Sequence, residues 1–161
     1  MAKCKNKYLL PLNKKEIYHW HEHSSPVHKE KLKYSLDIFV EKGTEVYAAQ
    51  SGIVVWLKNN SKKHGIGKKY LNLGNRVVIK HKNNEYSAYE HLKYKGIVVK
   101  KGQKVRKGQL IAFTGMSGWI AQPHVHFEVF NNPSKDESEG ETLSVLFRIK
   151  RKGRCNKNCY R

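Results

Sequence analysis

Acidic residues are scarce in this chain: 13 aspartates and glutamates face 32 lysines and arginines, a formal net charge of +19 over 161 residues. A field of that sign attracts polyanions by steering and counter-ion release. Nucleic acid, anionic cell-wall polymers and membrane surfaces all qualify as partners. The lysines run from Lys3 to Lys157 rather than gathering on one recognition helix, so a merely solvated surface explains them equally well. Cysteine is almost missing. Cys4, Cys155 and Cys159 lie at the two ends, and three thiols cannot all pair within one chain. The Cys155-x3-Cys159 spacing has no matching second pair for a zinc site. One disulfide from Cys4 to Cys155 or Cys159 is open if the termini meet, and free thiols are the other reading. Long apolar runs are absent too: nothing approaches the roughly 18–20 residues of a membrane span, so no transmembrane helix is expected. Met-Ala-Lys-Cys-Lys leads straight into Tyr8-Leu9-Leu10-Pro11 without the apolar core of a signal peptide, which fits a native start or a replaced leader. Nor does any segment hold a helical period over three turns.

What remains is a chain with 39% apolar residues, enough for one globular domain with a core of its own. Short β-branched segments recur between glycine turns. Tyr34–Val40, Val46–Ala49 and Ile53–Leu57 read as strands, and 75–81 with 86–92 reads as a hairpin around Lys82-Asn83-Asn84. Val98-Val99, 102–105 and 108–113 continue the pattern, and 142–149 reads as a last strand before a basic tail. The polar stretch 58–74 reads as a loop on a functional rim, and Trp119-Ile120-Ala121 as a loop beside the site. The fold class predicted is all-β, antiparallel sheets curled around an open groove.

The stretch with the most chemistry is Gln122-Pro123-His124-Val125-His126-Phe127-Glu128-Val129. Strand residues two apart share a face, so His124 and His126 project together while Val125 and Phe127 turn into a core. Paired imidazoles suit a zinc site or an acid–base pair. Upstream, Asp37 alternates with Leu36 and Ile38, and a carboxylate inside an apolar strand is costly to bury unless it is paired or bound to a cation. A lysine partner and a metal serve that need equally well. His19, His21 and His23 alternate in a histidine-rich segment that Ser24-Ser25-Pro26 ends, and His28 and His91 complete the set.

These residues also carry a resemblance. Asp37-Ile38, the run from Gly43 to Val55, Tyr89-Glu90-His91-Leu92, the run from Val99 to Gln109, and Pro123 to Val129 look like the lysostaphin/LytM-type zinc peptidases of family M23, in order and over about residues 28–130. The resemblance implies one peptidase domain over 1–161, formed as an antiparallel β groove with zinc at its floor. Asp37 and His126 match metal ligands, and His91 and His124 match the two catalytic histidines that do not bind metal. The commonest pattern of the family has its first histidine ligand four residues before the aspartate, where this chain has Lys33. A subgroup with a Tyr-Ala-x-Asp-Phe-like strand has it nine residues ahead, and His28 stands there, with Tyr34-Ser35-Leu36-Asp37 and Phe147-Arg148 also similar to that subgroup. His28 is therefore the expected third ligand, with His23 and His21 as the rivals.

The function implied is zinc-dependent endopeptidase cleavage of peptide crosslinks in bacterial peptidoglycan. Three ligands leave a position for water, whose acidity zinc raises, and the free imidazoles assist its attack on the peptide carbonyl. Peptidoglycan and its anionic polymers are the expected partners, the protein a monomer, its location secreted or at the cell envelope. One alternative is a family fold with a degenerate site that binds walls or activates other enzymes. Another is a basic nucleic-acid-binding β domain, which leaves Asp37 and the spaced histidines unexplained. The run 102–110 also resembles a biotinyl or lipoyl carrier, but Met116 is followed by Ser117 where the acceptor lysine should stand.

Overall fold

In a computed structural model, residues 3–22, 30–145 and 147 are described. The strands in chain order are β1 (His19–Glu22), β2 (Leu36–Phe39), β3 (Glu45–Tyr47), β4 (Gly52–Lys58), β5 (His64–Gly65), β6 (Arg76–Lys80) and β7 (Tyr86–Glu90). After them come β8 (Leu92–Ile97), β9 (Lys104–Val105), β10 (Leu110–Thr114), β11 (Gly118–Trp119), β12 (His124–Asn131) and β13 (Glu141–Thr142). Among the described residues they form an eight-stranded sheet in the order β1-β2-β12-β7-β6-β4-β9 with β13 beside β12, a three-stranded sheet β3-β10-β8, and the pair β11-β5. Every pair is antiparallel except β11 with β5. The all-β expectation is met.

Alternation along the strands decides which side chains build the core. Leu36 and Ile38 of β2, Val77 and Ile79 of β6, Tyr89 of β7, and Val125, Phe127 and Val129 of β12 turn one way and are buried. They pack with Val46, Leu92, Ile97, Ile111 and Ala112 of the smaller sheet and with Tyr8 and Leu12 of the N-terminal segment. Burying a side chain of this size contributes about 1.5–3 kcal/mol each, so this layer is the main source of stability. The opposite face of the large sheet carries a small apolar cluster of Val78, Tyr86, Ala88 and Phe130 at one end. At the other end of that face stand the charged and histidine side chains.

Two expectations are amended. The stretch 58–74 is not a plain loop: it holds β5 and a 3-10 helix, Lys68–Leu73. β5 pairs with β11, so the segment 119–121 begins on a strand. Of the last strand expected over 142–149, the described part is β13, Glu141–Thr142, paired with Asn131 and Phe130, with Leu143 N–H donating on to the Val129 carbonyl at 2.7 Å; residue 146 and those from 148 onward lie outside the described residues. So do Cys155 and Cys159, and with them the choice between a disulfide to Cys4 and free thiols. Burial, reinforced by the charge of Glu85, pushes the Cys4 thiol up to about 12, which makes it inert rather than reactive.

Beneath the core is one polar chain away from the site. Buried His81 donates from Nδ1 to the Ser51 carbonyl at 2.9 Å, leaving Nε2 to accept from Ser87 at 2.8 Å. The Ser87 and Tyr89 hydroxyls are 3.0 Å apart, and Tyr89 accepts from Ala49 N–H. Burial pushes His81 down from 6.5 to about 4. The fold thus favours the neutral ring, and this contribution is complete above pH 6.5 and is lost as pH falls toward 4. We expect the parent chain to lose on the order of 3 kcal/mol across that window through this residue. In denaturant titrations His81→Asn, though less stable at pH 7, should show a flatter dependence between pH 6.5 and 4; an unchanged slope would rule His81 out as its source.

Candidate metal centre

The site is a consequence of strand register. In the large sheet Asp37 pairs with His126, His126 with Glu90, and Glu90 with Arg76, so these four side chains form one row across β2, β12, β7 and β6. One step along, His124 is paired with Phe39 and Phe39 with His19. Asp37, His91, His124 and His126 are all buried. His126 Nδ1 lies 2.9 Å from Asp37 Oδ1, and His124 Nε2 lies 3.6 Å from the same oxygen. The His91 ring meets the His124 ring edge to face, with centroids 4.6 Å apart, and stands 6.2 Å from that of His126. Four of the five expected site residues therefore converge. The fifth, His28, lies outside the described residues, as does His23. His21 is placed by register opposite Asp37 on β1.

His91 reaches this cluster through an unusual backbone position. It lies between β7 in the large sheet and β8 in the small one, at φ 63°. A left-handed conformation costs a non-glycine residue of order 1–3 kcal/mol and persists only where surroundings over-determine it. Here Gly115 N–H donates to the His91 carbonyl at 3.0 Å, Leu92 N–H to the Asn75 carbonyl at 3.1 Å, and the His91 ring donates from Nδ1 to the Ser117 carbonyl at 2.8 Å. That last bond directs Nε2 as an acceptor. His124 is fixed similarly, with Nδ1 donating to the Gln122 carbonyl at 2.9 Å and the ring leaning on Phe39, centroid to centroid 5.1 Å. Phe39 also stacks on His19 at 4.4 Å.

The electrostatics separates two kinds of histidine. Burial, and for His124 the neighbouring His91, hold His124 down at about 4; burial is also the main cause that lowers His91, with His126 adding to it. Both are neutral at pH 7 and able to accept a proton. His126 goes the other way. Burial alone would lower it, but contacts with Asp37 and Glu128 outweigh that and raise it. Glu128 is likewise opposed by burial yet held below the usual carboxylate range by Arg76 and His126. Asp37 beside Nδ1 and Glu128 beside Nε2 make the surroundings of the His126 ring favour positive charge.

Among the described residues, no group of three His, Cys, Asp or Glu side chains forms a metal cluster. The pair that is present does fit a zinc ion: one carboxylate oxygen and one imidazole nitrogen, adjacent, buried and in surroundings that favour a cation, are a donor set zinc takes. Two residues of this site, Glu128 and Arg76, went unnoticed in the sequence. Glu128 had a signal, since His126 and Glu128 are two apart on one strand.

The profile of peptidase family M23 matches residues 31–138. The chain belongs to this family. Over 93 residues it is 40% identical to the peptidoglycan DD-endopeptidase ShyA of Vibrio cholerae serotype O1, covering 58% of this chain and 19% of that protein. It is 38% identical over 119 residues to ShyB of the same organism, covering 66% of this chain and 25% of that protein. The chain thus spans no more than a quarter of the length of these relatives. The catalytic domain of the prophage-encoded M23 protein EnpA from Enterococcus faecalis shares the fold, with TM-score 0.62, 24% identity, and coverage of 85% of this chain and 94% of that one.

The wall that holds His91 gives a test. A Cβ built on Gly118, φ 85°, would lie 2.8 Å from the backbone N and Cα of Gly74. We expect Gly118→Ala to shift the Ser117 carbonyl off His91 and to destabilise the fold by about 1–3 kcal/mol. An unchanged denaturation midpoint would show that this wall tolerates displacement.

Proposed function

We propose that this chain is a zinc-dependent endopeptidase domain that hydrolyses peptide crosslinks of bacterial peptidoglycan. The observation that supports it most is the convergence of Asp37 and His126, 2.9 Å apart, with two neutral imidazoles beside them. The relatives ShyA and ShyB, named peptidoglycan DD-endopeptidases, supply the substrate class. Asp37, His126 and His28 would hold the ion, and zinc bound there would supply Lewis acidity that lowers the pKa of water and polarises a carbonyl.

The chain's own residues then have distinct tasks. His91 and His124 are the candidate proton carriers: neutral at pH 7, each with one nitrogen committed to a backbone carbonyl and the other left toward the cluster. One takes the proton of the attacking water as the carbonyl carbon is attacked. The peptide C–N bond breaks as the leaving amine receives a proton, and the second imidazole stabilises the negative oxygen. The surface charge of +19 serves capture of a polyanionic wall rather than the chemistry. Such a protein works where peptidoglycan is, outside the cytoplasm.

Two sets of measurements test this reading. In the first, His28→Ala and Asp37→Ala should lower zinc content sharply, and His19→Ala should not, while His91→Ala and His124→Ala should keep zinc and lose about 10²–10⁴-fold in turnover. Full zinc in His28→Ala with loss in His21→Ala would move the third ligand to the strand that lies beside Asp37. Loss of metal from a folded His91 or His124 variant would refute their assignment as proton carriers.

In the second, purified sacculi are digested and assayed for free amines and reducing ends. New amines without reducing ends are expected, and wall binding should weaken as salt rises, because such attraction is screened over about 8 Å at physiological ionic strength. Reducing ends alone would mean glycosidic cleavage. Release of neither by the zinc-loaded chain would favour a wall-binding or activating module.

A further inference from the structure

His126 has a second nitrogen, and the structure places a buried carboxylate beside it. His126 Nε2 lies 3.6 Å from Glu128 Oε2. The carboxylate is only 1% exposed and is held at both oxygens: Oε1 accepts from Arg76 Nη2 at 2.6 Å, and Oε2 accepts from the Ser35 hydroxyl at 3.0 Å. Arg76 is anchored in turn, because its Nη1 donates at 3.2 Å to Glu90 on β7, the strand that separates β6 from β12. Glu128 therefore has no rotational freedom to follow His126; His126 must orient to it.

Stability alone is a poor account of this network. Buried ion pairs seldom add net stability over apolar replacements, because desolvation offsets the attraction. This one also leaves Arg76 Nε buried without a hydrogen-bond partner among the described residues. What the arrangement does accomplish is selection between the two imidazole nitrogens. Asp37, 2.9 Å from Nδ1, competes for the proton while no cation is bound. A cation held between Nδ1 and Asp37 removes that competition, and the carboxylate facing Nε2 then holds the proton there and leaves the Nδ1 lone pair to the cation.

We propose that Glu128, clamped by Arg76 and Ser35, is a positioning residue that keeps the His126 proton on Nε2 and so presents the Nδ1 lone pair to a zinc ion shared with Asp37. This rests on the zinc reading above and extends it to two residues that touch neither metal nor substrate. Arg76 acts at one further remove, by holding the carboxylate and by joining it to Glu90, the residue before His91.

The test is Glu128→Gln. The amide has a single acceptor oxygen, which can serve Arg76 or His126 but not both, so one of them faces an N–H. Zinc affinity is measured by competition with a chelator on the full chain, with thermal unfolding as the control for the fold. The parent should bind one zinc, and Glu128→Gln should bind it about 10–100-fold more weakly while remaining folded. Nitrogen-15 NMR of the zinc-loaded parent should find His126 protonated at Nε2 and metal-bound at Nδ1.

Should Glu128→Gln unfold, the double variant Arg76→Gln/Glu128→Gln removes both buried charges together and carries the same measurement. A folded variant with zinc affinity within about threefold of the parent, or metal on Nε2 in the parent, overturns the positioning role and leaves the zinc reading standing. A parent that binds no zinc overturns both.

Discussion

The register of four neighbouring strands is the constraint on which the rest depends. Asp37, His126, Glu90 and Arg76 occupy one row because β2, β12, β7 and β6 are paired where they are. Along that row, negative groups alternate with groups that carry or attract positive charge. Cross-strand neighbours stand about 4.5–5.5 Å apart, close enough for each charge to feel the next. A slip of one residue would send every side chain of a strand to the other face. Asp37 would enter the layer now held by Leu36 and Ile38, and His126 and Glu128 the layer held by Phe127 and Val129. Burying an unpaired ion there costs several kcal/mol. The apolar face and the charged face therefore enforce the same register from opposite sides, and the geometry of the site is fixed by the same pairing that closes the core.

The two faces divide the work. The inner face stabilises, and the outer face spends part of that stability on features that are unfavourable alone: a left-handed His91, histidines held neutral by burial, a guanidinium whose Nε has no partner among the described residues. His91 is where the division is sharpest. Its backbone is the crossing point from the large sheet to the small one, so the chain's change of sheet and the delivery of an imidazole to the cluster are one event. Asn75 and, from a segment far from it in sequence, Gly115 and Ser117 hold that crossing.

Period-two alternation made much of this legible beforehand. It separated Val125 and Phe127 from His124 and His126, and Leu36 and Ile38 from Asp37, and each residue lies on the side expected. Short strands between glycine turns gave the all-β class. What stayed hidden was pairing over distance. Nothing local to His64 and Gly65 announces a partner at Gly118 and Trp119, so 58–74 looked like a loop. Arg76 looked like one more cation in a basic chain, and only the register across β7 shows that it serves Glu90 and Glu128. Lys93 and Lys95 likewise disguised β8, because a half-exposed strand with charges on its outer side reads as surface.

The scarcity of acids gives the site its electrostatic character. Of 13 acidic residues, three stand together on one patch of the large sheet: Asp37, Glu90 and Glu128. Arg76 is the guanidinium set among them. Among these four residues the charge is minus two, inside a protein whose total is +19. The surface field and the site field thus have opposite signs and different reach. The first acts over the Debye length and is weakened by salt, whereas the second is buried and screened far less. A polyanion drawn to the lysines is not drawn into the site by the same force. What the site itself calls for is positive charge beside His126 Nδ1, and the proposed zinc ion would bring the two units that the patch lacks.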